Sequence, residues 1–239
     1  MNYGISYSAN KINFTSRNKE IRKADDIARV VNIVYPRVSS SNIGNFNNID
    51  KYPDVHERYI NKICELRKDV DNRTSKAYAY DCDLVDKIKI MPDLIKERKV
   101  GNCSEATCLA ALAAKINGID NLNVAILGSS ETGVLDHAVL LVENKEKPYI
   151  IDSWLGFADY VPNTVNRYIS EYGNRFDLSS DSFEKIDVYP IETVEISRIN
   201  KASKEELAEA FPELVLGKKN KKTQESKIKQ FFKKLLKKD

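Results

Sequence analysis

Over its first half the chain repeats apolar residues with the 3.6-residue period of helices. From Asn18 to Val34, residues Ile21, Ala24, Ile27, Val30, Val31 and Ile33 recur near one side, which predicts an amphipathic helix. Asp54 to Leu66 repeats the pattern with Tyr59, Ile60, Ile63, Cys64 and Leu66. Ser75 to Lys99 reads as mostly helical, with a break predicted near Pro92 because proline removes a helical N–H. A fourth helix opens at Cys103 and stops at Asn117-Gly118, a favourable C-terminal signal. Between the first two, VSSSNIGNFNN (38–48) is a loop by its Ser, Asn and Gly content.

The character of the chain then changes. NVAILG, HAVLLVE, YIID and VYPIETVEISRI are rich in β-branched residues and separated by turn signals, so each is expected as an antiparallel strand. Lys204 to Leu214 returns to a short helix. Helices first, one central helix, then a sheet is the order of an α+β fold. The expected organisation is a loose polar arm over 1–17, one domain over 18–216, and a tail from 217.

Charge sharpens that division. The chain of 239 residues carries a net +3, but 218–239 alone carries +8, which leaves the rest at −5. In SKIKQFFKKLLKKD, residues Ile228, Phe231, Phe232, Leu235 and Leu236 form one helical stripe among lysines. Such a basic amphipathic helix suits an anionic membrane surface, or docking on the acidic body. Its aromatics do not interleave with the basic residues as base-stacking platforms would, so nucleic acid is not the expected partner. No apolar run approaches a membrane span, and the start lacks a secretory pattern, so the four cysteines are expected to be reduced, in a cytosol. No metal or other cofactor is expected, because Cys103, Cys108 and His137 lack the short Cys-x-x-Cys hook.

The cysteine of VGNCSEATCLAAL stands where a reactive thiol would be favoured. A helix N-terminus offers partial positive charge and unpaired N–H groups, which stabilise a thiolate and an oxyanion. Gly101 permits a tight entry, Asn102 suits the turn, and Glu105 suits the dipole. Ala106, Ala110, Ala111, Ala113 and Ala114 let the helix lie close to a sheet. Only two histidines are available. His56 sits among charges on a surface-type helix, whereas His137 opens an apolar strand. Asp152 ends the next strand. A hairpin over KEKP with His137 opposite Asp152, Val139 opposite Ile150 and Leu141 opposite Pro148 sets acid beside base. Asp159 is the fallback acid, and Asp136 is expected to be exposed. Cys108, five residues beyond Cys103, is expected in the core, and Cys64 and Cys82 in the core or on neutral surface.

The order Cys103, His137, Asp152 resembles that of papain-like and transglutaminase-like cysteine enzymes. Gly101-Asn102-Cys103-Ser104-Glu105-Ala106 resembles the GNCxExA opening of bacterial effector and toxin domains in that superfamily, and Asp136-His137-Ala138 and Asp152-Ser153-Trp154 resemble its later motifs. The resemblance covers Gly101 to about Gly156. It implies a thiol-dependent amide-bond enzyme, a glutamine deamidase or protease acting on proteins of a host cell. Transglutamination or a catalytically silent binding role are the alternatives. It also implies that Cys103, His137 and Asp152 form the triad, with Asn102, Ser104 and Trp154 in support. The stretch DLIKERKV before Gly101 holds no glutamine for an oxyanion hole. The expected donors are therefore the Cys103 N–H and the Asn102 side chain.

Overall fold

The computed structural model describes residues 5–6, 19–40, 53–128, 137–144, 147–168 and 187–217. The architecture is α+β. Strand β1 (Ile5–Ser6) precedes helices α1 (Lys19–Val34), α2 (Pro53–Ala79), α3 (Leu84–Arg98) and α4 (Cys103–Ile116). Strands β2 (Leu122–Gly128), β3 (His137–Val142), β4 (Tyr149–Asp152) and β5 (Phe157–Tyr160) follow. Then come α5 (Val161–Arg167), β6 (Asp187–Ile191), α6 (Val194–Lys201), α7 (Lys204–Ala210) and a 3-10 turn (Pro212–Leu214). The sheet order is β1-β6-β2-β3-β4-β5, antiparallel throughout.

Helix α4 occupies the centre because it has little but alanine to present. Ala106, Ala110, Ala111, Ala113 and Ala114 are all buried. Small side chains on every side let the sheet and other helices approach together. The strands are buried on both faces. Leu122, Val124, Ala138, Leu140, Val142, Tyr149 and Ile151 join the core shared with α1, α3 and α4. Ala125, Leu127, Val139, Leu141, Ile150 and Phe157 form a second cluster behind, with Val161, Tyr168 and Val188. That double burial explains the continuous apolar run HAVLLV. The outer strand β5 is tied to α1 by Asp25, whose buried carboxylate accepts from the Ala158 N–H at 3.0 Å.

Several expectations are corrected. Helix α2 runs on to Ala79, and its buried line is Ile63, Leu66 and Val70 at helical spacing. Ile60 and Cys64 are exposed instead. The break before α3 falls at Tyr80–Asp83, where Asp81 takes a positive φ and Asp83 caps α3 through the Asp86 N–H. Pro92 lies inside α3 and is buried with Leu94 and Ile95. Packing of that apolar face offsets the missing N–H. The stretch VYPIETVEISRI divides into β6 and then α6. Thr193 caps α6 by accepting from the Ile196 N–H, and Ile196 and Ile199 turn inward one helical turn apart. The β-branched residues read as strand belong, in this half, to a helix face. Strand β5 was not expected at all. Of the polar arm, Ile5–Ser6 pair with β6. The basic tail 218–239 lies outside the described residues, as does most of the 38–48 loop.

The hairpin register differs from expectation by two residues. Leu140 pairs with Ile151, Leu141 with Ile150 and Val142 with Tyr149. A shift of two preserves the face of every side chain, whereas a shift of one would reverse it. His137 and Asp152 are therefore diagonal neighbours on one face.

Candidate active site

The chain entering α4 is clamped from both sides. Lys99 turns α3 off with φ +57. Val38 forms an isolated parallel bridge with Val100, and the Gly101 N–H donates to Val38 O at 3.2 Å. Gly101 is needed because a Cβ there would lie 3.1 Å from Glu105 Cβ and 3.2 Å from Arg37 Cδ. The Asn102 N–H donates to Glu105 Oε2 at 2.8 Å. Its side-chain oxygen accepts from Ser39 Oγ at 2.7 Å and the Ser40 N–H at 3.0 Å. Its amide donates to Ser40 Oγ at 3.0 Å. Asn102 thus fastens the α4 entrance to the 38–40 segment, with one of its two amide N–H donors bonded to Ser40.

Cys103 opens α4 and is half-buried. His137 and Asp152 are buried, 6% and 1% exposed. His137 Nε2 lies 2.7 Å from Asp152 Oδ2, so the ring nitrogen left to bond the thiol is Nδ1. The ladder with β4 begins only at Leu140, which leaves the first residues of β3 open on that side. There the Ala138 backbone N–H helps to favour the Cys103 thiolate. Thr107 Oγ fastens helix to strand, donating between Cys103 O at 2.8 Å and Ala138 O at 2.9 Å. Ser153 Oγ does the same from the far end of β4, donating to Ala106 O at 2.6 Å.

Asp152 is held at both oxygens. Oδ1 accepts the backbone N–H groups of Trp154 and Leu155, each at 2.9 Å. Oδ2 accepts from His137 and from the buried Tyr168 hydroxyl. Burial by itself would raise this carboxyl, but the His137 charge and these bonds outweigh it and hold the carboxyl below its usual range. His137 is pushed up to about 10. Burial opposes the shift, and the Asp152 charge and bond, with a smaller share from Cys103, drive it. Burial would also raise the Cys103 thiol, but the His137 bond and charge and the Ala138 N–H together lower it. All three directions favour thiolate, imidazolium and carboxylate in a row.

Trp154 tilts over the imidazole, with ring centroids 5.0 Å apart at 50°. Tyr168 meets the same ring edge-on at 5.9 Å. Ser104 points to solvent and lines an open cleft beside the thiol. Asp159 is on β5, where its Oδ1 accepts from the Tyr160 N–H and Asn163, away from the imidazole. Asp136 lies outside the described residues. His56 bonds Ser40 O at 3.0 Å. Among the described residues no three His, Cys, Asp or Glu gather as metal ligands, and no helix is long and apolar enough to cross a membrane.

Three contributors were not visible in the chain. Tyr168 follows the short α5 and has no motif. Arg37 donates to Tyr35 O at 3.1 Å and Ser153 O at 3.3 Å, and its buried guanidinium balances Glu105 and Asp152. Burial is the larger influence on it and lowers it to about 10, still cationic at neutral pH. Arg67 pairs with the buried Glu105 at 2.7 Å from α2. Compared with protein-family models, curated proteins and solved structures, the chain has no significant match.

Proposed function

We propose that the protein is a thiol hydrolase of carboxamide bonds, a protein glutamine deamidase or protease, with a papain-like or transglutaminase-like core built on α4 and β3–β4. The observation carrying this reading is the single imidazole placed between the Cys103 thiol and the Asp152 carboxylate. The motif resemblance adds the expectation of a bacterial effector whose substrate is a host protein.

The proposed steps are as follows. The thiolate of Cys103 adds to an amide carbonyl carbon, and the carbonyl π pair moves onto oxygen. That oxyanion meets the N-terminal N–H groups of α4, the Cys103 N–H first among them, since helix-start donors have no partner within the helix. The tetrahedral adduct collapses, the C–N bond breaks, and His137 gives its proton to the departing ammonia or amine. Water then loses a proton to the neutral imidazole and attacks the thioester. The carboxylic acid leaves and the thiolate–imidazolium pair is restored. Asp152 stays ionised throughout and keeps the useful ring nitrogen facing sulfur.

Iodoacetamide labelling tests the nucleophile. Cys103 reacts much faster than Cys64, Cys82 and Cys108, and His137→Ala slows it. Equal labelling of all four would sink the reading. Incubation with a host-cell lysate beside Cys103→Ala then names the reaction. Gln-to-Glu conversion marks a deamidase, new fragments a protease, and cross-links a transglutaminase.

A further inference from the structure

Beside the nucleophile runs an open cleft of about 140 Å³. Ser104 and Ala138, the neighbours of Cys103 and His137, form its near end. Its walls are apolar, from Met91 of α3, Val124 and Ile126 of β2, and Ile196 of α6. One charged side chain lines it, Glu195, in the first turn of α6. A second, smaller hollow continues past Met91, Cys108 and Glu195 towards Lys87 and Arg198.

Glu195 is half-buried and, among the described residues, has no ion pair or hydrogen bond from its side chain. The cations that could neutralise it are engaged elsewhere. Arg198 donates to the Tyr78 hydroxyl and stacks 4.9 Å from the centre of that ring. Lys87 lies over the same ring at 4.6 Å. A carboxylate in an apolar cleft is satisfied best by a cation delivered from outside.

We infer that this cleft binds a lysine or arginine of the protein substrate, with its aliphatic stem along Met91, Ile126 and Ile196 and its cationic head on Glu195. The inference rests on the thiol-hydrolase reading for its place beside the reacting carbonyl. It adds a specificity residue that the catalytic steps do not use.

Acetyl-X-glycyl fluoromethyl ketones, with X lysine, norleucine or glutamate, test it on the full chain. With lysine, Cys103 is alkylated about 10-fold faster than with norleucine, as expected for a charged hydrogen bond in a partly dry cleft. Glutamate is slowest. Glu195→Gln brings the lysine probe down to the norleucine rate and leaves iodoacetamide labelling unchanged. Equal lysine and norleucine rates, or a lysine advantage that survives Glu195→Gln, would overturn the inference. Uniform iodoacetamide labelling would sink the hydrolase reading instead. The cleft is then read without the thiol, by fluorescence polarisation of labelled acetyl-X-glycyl amides on Cys103→Ala. Tighter lysine binding that disappears on adding Glu195→Gln supports it, and its absence overturns it.

Discussion

Cys103 and Cys108 stand on the same helix, five residues apart, in opposite chemical settings. Cys103 meets an imidazole and a strand N–H, and its thiol is lowered. Cys108 meets the apolar wall shared by α3 and α6, and burial, aided by the charge of Glu195, pushes its thiol up to about 12. At neutral pH the second stays a protonated thiol. Both are half-buried, so access does not separate them. The difference comes from what β3 brings to the first turn of α4 and does not bring to the second. Helix position explains part of it, since only Cys103 has the N-terminal dipole. The larger part is His137, a residue far away in the chain.

The strongest way to break the contrast is to delete the first thiol. Cys103→Ala should abolish turnover in the lysate assay, whereas Cys108→Ser should leave it nearly intact. A Cys108→Ser protein as dead as Cys103→Ala would erase the distinction. Next in size is the imidazole. His137→Ala should cost about 10²–10⁴-fold in turnover, and iodoacetamide labelling near neutral pH should lose its selectivity for Cys103.

The pH dependence of stability tests the acid that makes the imidazole basic. In a Cys103→Ala background the thiol no longer titrates there. Asp152 still raises His137 above 6.5 there, by less than with Cys103 present, so its contribution is complete below 6.5 and is lost as pH rises through the raised folded value. Asp152 is lowered, so its contribution is complete above its ordinary 3.8 and fades as acid titrates the folded carboxyl. The unfolding midpoint should therefore decline on the alkaline side, and Asp152→Asn should flatten that decline. An unchanged slope would mean that Asp152 does not govern the imidazole.

Smaller effects sharpen the picture. Tyr168→Phe removes one donor from Asp152 Oδ2, a loss of about 1.5–3 kcal/mol for a bond to a charged group, measured by urea unfolding. Arg67→Ala should cost less, about 1 kcal/mol or below, because that guanidinium is half exposed and screened by water. The Arg67 effect should shrink with added salt, and the Tyr168 effect should not.

Much of this arrangement was legible in the chain because its signals are local. The α4 boundaries follow from Gly101-Asn102 before it and Asn117-Gly118 after it. Strand β3 follows from five apolar neighbours in a row, with His137 at its head. Asp152 could be placed near His137 from hairpin reasoning alone, and the two-residue error in register did no harm because parity was kept. The contacts of Asn102 were illegible for the opposite reason. The partners that occupy its side chain, Ser39 and Ser40, lie some 60 residues earlier, and no local pattern announces them.

The same division runs through the whole molecule. Periodicity, caps and turn residues act over a few positions, so order along the chain was enough to specify α1, α4, β2, β3 and the position of a thiol at a helix start. Whether that thiol is ionised depends on charges and burial contributed by β3, β4 and the residue after α5. The α6 helix and the tolerance of Pro92 inside α3 likewise depend on what packs against them. Electrostatic and packing energies are summed over neighbours in space, and those neighbours are distant in the chain.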